Sequence, residues 1–242
     1  MDYKVVKIMK DELEINLDHN IRDKPELRDN VYVFLDREHA GLILSEMLTY
    51  YKETDTIIFG IPAGGVPVAA PISKGLELPL DLAVVSKITL PWSTEAGYGA
   101  VAFEGTIQLN QNIISRTGLT PADIKDGIEK ATIKVEKRFN EFRADKPFPN
   151  LENHTAILVD DGIASGYTML VAVKALKNKG ANKIIIAVPT AHFQALEKVA
   201  PQVNEVYCAN IRGGSSFAVA EAYKRWYDVE DEEVKEILEE FM

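Results

Sequence analysis

Ile157-Leu158-Val159-Asp160-Asp161-Gly162-Ile163-Ala164-Ser165-Gly166-Tyr167-Thr168-Met169 changes character three times within one short stretch. An apolar run without alternation suits a central parallel strand covered on both faces. Two adjacent carboxylates follow, at the carboxyl end where open α/β sheets bind ligands. Small residues around Gly166 let backbone N–H groups approach an anion, and the next helix aims its positive N-terminus at the same spot. Ser165 and Thr168 add hydroxyl donors. A phosphate cradle thus stands beside two acids suited to sugar hydroxyls or a hydrated Mg²⁺. A plain βα turn with helix-capping acids has the same spelling.

Outward from this stretch, strand and helix patterns alternate. Asp36 can cap a helix carrying Ala40, Ile43, Leu44, Met47, Leu48 and Tyr51 at helical spacing. Residues 56–60, 81–87, 155–161, 183–189 and 203–208 read as strands. Residues 66–76, 121 to before Pro147, 191–199 and the tail 217–242 read as helices. The expected fold is α/β: a doubly wound, mainly parallel sheet with flanking helices and small hood or flap elements. Residues 1–30 are expected to form an N-terminal strand or hairpin extension, with strands over 3–17, and 31–242 one domain.

The 242 residues suffice for one large core. A net charge of −10 argues against a sequence-independent nucleic-acid binder. His19, His39, His154 and His192 lack metal-ligand spacing. No apolar run has the length of a membrane span. Met1-Asp2-Tyr3-Lys4-Val5-Val6 lacks a signal-peptide core, and the single Cys208 fits a reducing compartment, so a cytoplasmic protein is expected.

Residues 156–168 resemble the 5-phosphoribosyl-1-diphosphate (PRPP) motif of type I phosphoribosyltransferases: four apolar residues, two acids, small or apolar residues, Ser/Thr, Gly, any residue, Thr. The resemblance implies that Asp160 and Asp161 hold the ribose, and Mg²⁺ through water. It implies that Ala164, Ser165, Gly166, Tyr167 and Thr168 hold the 5-phosphate. Gly60-Ile61-Pro62-Ala63-Gly64-Gly65-Val66-Pro67-Val68-Ala69 is similar to the PRGGVPVA loop of stand-alone bacterial and archaeal relatives. There Ala63, Gly64 and Gly65 would hold the diphosphate, although Ala63 replaces a common charged residue. Lys87 matches a basic residue near the diphosphate, where a fixed cation stabilises growing charge. Residues 88–100 resemble a flap, with Gly97 and Gly99 as hinges and exposed Trp92 near its tip. A flap would exclude water. Glu95 or Glu104 would meet the acceptor as acid or base, unless each is a solvated surface charge.

Phe217 follows a glycine-rich turn and is the stacking candidate for a flat base, whereas Trp226 and Tyr227 read more readily as core. The resemblance covers about 34–241. It implies Mg²⁺-dependent transfer of a 5-phosphoribosyl group from PRPP to a nitrogenous, nucleobase-like acceptor, with diphosphate released, in a homo-oligomer, expected to be a dimer. Ala164 stands where hypoxanthine-guanine enzymes carry an acid, so no base is expected there. A non-catalytic PRPP or nucleotide sensor is the alternative, and a hydrolase a third reading. Replacing both acids with Asn is expected to leave the core intact.

Overall fold

A computed structural model describes residues 20–93, 96–143 and 146–241. The strands expected over 3–17 lie outside them. Strand β1 (Ile21–Asp23) is followed by helix α1 (Arg37–Met47), β2 (Thr56–Gly60), α2 (Val66–Leu76) and β3 (Leu80–Leu82). Next come β4 (Val85–Thr89), β5 (Gly97–Ala102), β6 (Ile107–Leu109), α3 (Gln111–Thr117) and α4 (Pro121–Arg143). The chain continues through β7 (Thr155–Val159), α5 (Tyr167–Asn178), β8 (Lys183–His192), α6 (Phe193–Val199), β9 (Glu205–Arg212) and α7 (Asp231–Glu239).

Six strands form one parallel sheet in the order β1-β9-β8-β7-β2-β3. Successive side chains point to opposite faces, so each strand feeds two cores. Ile58, Ile157, Val159 and Ile185 pack under α1 and α2 through Ala40, Leu44, Val68 and Ile72. Phe59, Leu158, Ile186 and Val206 pack under α5 and α6 through Val171, Leu176 and Leu196. Burial on both faces explains why β7 reads as an unbroken apolar run. From β2 the chain crosses to β3, and from β7 it crosses the other way to β8. The carboxyl ends of β2 and β7 therefore flank the switch point of the sheet, the usual ligand crevice in such folds.

Three expectations need correction. Residues 81–87 are not one strand: after β3 the chain leaves the main sheet, and β4 pairs with β5 in a separate antiparallel sheet of β4, β5 and β6. Its apolar face meets α4 and α7, where Ile88, Tyr98, Ala131, Val135 and Val234 form a third core. The tail is not continuously helical. Val219–Ala222 is a 3₁₀ turn, Tyr223 bridges to Phe34, and the α-helix spans only Asp231–Glu239. The stretch around Asn20 and Asp29 is not a mere polar connector. Ile21–Asp23 is an edge strand, and the Asn210 side chain donates to the carbonyls of Leu27 and Asn30.

Candidate active site

The crevice is built from the loops after β2 and β7. Loop 61–65 leaves β2, with Ile61 N–H bonded to Val159 O at 2.8 Å and Gly65 N–H to Ile61 O at 2.9 Å. The Pro62–Ala63 peptide is cis. A β-carbon on Gly64 would collide with the Asp161 carboxylate, and one on Gly65 would come within 2.6 Å of Val159 O. Only glycine lets this loop lie flat on the two acids. Ala63 rests its methyl against the third core.

Asp160 and Asp161 directly follow β7. Both are partly accessible but densely surrounded. Asp161 N–H donates to Asp160 Oδ1 at 2.9 Å. Burial, and next the charge of Asp161, push the Asp160 carboxyl well above the usual aspartate range. Burial also raises Asp161, while the Arg37 guanidinium pulls it back. Arg37 Nε and Nη2 donate to Asp161 Oδ2 at 3.0 and 2.9 Å. Tyr223 Oη donates to the Asp161 carbonyl at 2.6 Å.

Ile163 bridges to Ala191, which fixes the turn that presents Ala164 and Ser165 to solvent. Gly166 has a φ of 83° and precedes α5 without any side-chain cap. The first-turn amides of Tyr167 and Thr168 therefore head a helix N-terminus open to an anion.

Lys87 lies on β4 opposite Ala100, on the face that Val85 and Ala102 turn toward α5. The β5–β6 turn reaches the far end of α5, where Asn178 donates to Glu104 and Thr106. Ala100 and its partner Lys87 lie further back along the hairpin from that turn. Lys87 also lines a cleft of about 900 Å³ with Trp92, Asp126 and Lys130, and among the expected site residues that cleft holds Lys87 alone. The cleft lies against α4, so the chemistry is assigned by the acids and loops rather than by cavity size.

Glu104 is not an acid or base for this crevice. It is tied to Asn178 at the C-terminal end of α5, one helix length of about 17 Å from the cradle. Glu95 lies outside the described residues. Gly97 and Gly99 are paired within β5, and β-carbons there would strike Lys87 and Gln108, so they permit close packing rather than act as hinges. Phe217 is half-buried beside the cradle. Its ring is 5.5 Å from that of His192, and the Arg212 guanidinium lies 5.1 Å from it. His192 N–H donates to Ile163 O at 2.9 Å.

Trp226 and Tyr227 are not core residues. They are 38% and 50% exposed and surround Arg37. Arg37 stands outside the residues that the sequence motifs single out. A signal existed: Arg37 precedes Ala40 and Leu44 by three and seven positions, so a charge stands in an apolar stripe.

The pattern of the phosphoribosyl transferase domain matches residues 35–222, from just before Arg37 to just before Tyr223. The chain belongs to that family. Rv0571c of Mycobacterium tuberculosis, named as a presumptive phosphoribosyl transferase, is 32% identical over 207 residues, 86% of this chain. This chain spans about half the length of that relative (46%). The crystal structure of TT1426 from Thermus thermophilus superposes with a TM-score of 0.69 at 29% identity, covering 86% of this chain and 98% of that one. That likeness extends beyond the sheet and is consistent with the parallel six-stranded family fold.

Proposed function

We propose that this crevice transfers a 5-phosphoribosyl group from PRPP to a nitrogenous, nucleobase-like acceptor and releases diphosphate. The observation that carries this reading is the convergence at one switch point of the glycine loop 61–65, the acid pair and the uncapped N-terminus of α5. The 5-phosphate would sit on the amides of Ala164–Thr168. Asp160 would accept from the ribose hydroxyls. The diphosphate would lie along Ala63–Gly65, with Lys87 offsetting the charge that grows on it. The bond from the ribose anomeric carbon to diphosphate oxygen breaks, a bond from that carbon to the acceptor nitrogen forms, and the nitrogen's proton leaves to diphosphate or solvent. No side chain at Ala164 can take that proton, so catalysis is positioning and charge stabilisation. Phe217 would flank the acceptor.

The donor chemistry fits Mg²⁺. Among the described residues no group of three or more His, Cys, Asp or Glu could hold a metal by itself. Mg²⁺ needs only one or two carboxylates when waters and substrate phosphates complete its shell. Asp160 and Asp161 would hold it through water, and it would neutralise diphosphate charge.

The test is incubation with PRPP, Mg²⁺ and a panel of nucleobases, with diphosphate and nucleotide quantified. Acceptor-dependent diphosphate release is expected. PRPP binding without release favours the second reading, a PRPP or nucleotide sensor, for which the uncharged, core-packed Ala63 speaks. Absence of PRPP binding sinks both.

A further inference from the structure

Arg37 is 5% exposed and begins α1, yet it touches both the loop after β7 and the C-terminal segment. Two of its nitrogens grip one oxygen of Asp161, at 2.9 and 3.0 Å. The third donates to Tyr227 O at 2.9 Å. The Trp226 ring centre lies 4.0 Å from the guanidinium carbon, within cation–π range. The same Asp161 carboxylate fills the space a β-carbon on Gly64 would occupy. One side chain thus links the C-terminal segment, the second acid and the glycine loop. A planar fork can serve three directions at once, whereas an ammonium is a point charge.

We infer that Arg37 is a positioning residue, which clamps Asp161 against Gly64 and leaves Asp160 as the acid presented to ligand. The two acids then have different tasks: Asp161 sets the spacing between sugar and diphosphate subsites, and Asp160 contacts the sugar. Trp226 and Tyr227 hold the clamp in place. This inference rests on the transferase reading of the crevice.

A double-mutant cycle tests it. Arg37→Gln, Asp161→Asn and the pair are assayed for kcat and KM for PRPP, each below its own melting temperature. Arg37→Gln is expected to lower kcat/KM by about 10- to 100-fold, as loss of an orienting partner does, chiefly through kcat. Arg37→Lys recovers part of that loss, and stands in if the Gln variant does not fold. The double variant is expected to be no worse than Asp161→Asn alone, because Arg37 acts through Asp161. Additive losses, or an Arg37→Gln variant with parental kcat and only a lower melting temperature, overturn the clamp while the transferase reading stands. If the parent binds PRPP without turnover, the same cycle is read in its dissociation constants. A parent that binds no PRPP overturns the transferase reading, and the clamp falls with it.

Discussion

Asp160 stands where a charge is costly and useful at once. Burial and the neighbouring Asp161 hold its carboxyl well above the ordinary range. Below the ordinary aspartate pKa, folded and unfolded chains both keep the proton, and no penalty arises. As pH rises past that value the unfolded chain releases the proton and the folded chain retains it. The stability present at low pH is therefore lost until pH passes the raised native value. Asp160→Asn removes this loss and keeps an acceptor for the Asp161 amide. Its melting temperature should exceed the parent's by a margin that widens as pH rises past the ordinary aspartate value, at roughly 2–4 °C per kcal/mol, while PRPP turnover is abolished. Thermal melts that track the parent at every pH would refute the buried-charge account. Asp161→Asn removes the charge facing the buried Arg37 guanidinium and is expected to lower the melting temperature, since breaking a buried pair costs about 3 kcal/mol in comparable cases.

The β4–β5 hairpin illustrates how far an element can be read before its packing is known. Residues 88–100 read as one long mobile flap because they hold Gly97, Gly99 and polar residues near Trp92. In the fold, Ile88, Leu90 and Tyr98 are buried, and Tyr98 Oη reaches the Asp123 and Ile124 carbonyls at 3.3 and 3.4 Å. Beyond them the turn is closed locally, by Leu90 N–H to Ala96 O at 2.8 Å, and Trp92 is 65% exposed. Hydrogen exchange should show slow amides at 98–102 without ligand. Amides 91–93 should exchange fast and slow down when PRPP and Mg²⁺ are added. Fast exchange throughout 98–102 would restore the long flap, and unchanged exchange at 91–93 would remove closure altogether. The strand and turn at 155–168 were legible because burial on both faces leaves an unbroken apolar run and the cradle needs small residues. The break after Leu82 was not, because Ala83 and Val84 continue the apolar run while the chain changes sheets. The irregular tail was not legible either. Tyr223 is placed by Phe34 and Asp161, partners far away in sequence.

At the scale of the molecule, the family pattern ends at residue 222, but the site does not. Tyr223 and Tyr227 fix Asp161 and Arg37, and Val234 and Leu238 of α7 close the third core. A chain stopped after Ala222 should melt lower and bind PRPP weakly by calorimetry, because it leaves the Arg37 guanidinium without its carbonyl and its ring. Parental affinity in that truncation would show the tail to be dispensable. The edge strand β1 has a consequence for synthesis. Ile21 aligns with Val206, near the other end of the described chain. At about 5–20 residues per second, a ribosome makes β1 roughly ten to forty seconds before the strand it pairs with. For that time β1 has no place in the sheet, and its backbone hydrogen-bonding groups are open to any strand that passes. Three residues is a short invitation to wrong partners, which is a reason for the first described strand, with so late a pairing, to be this brief.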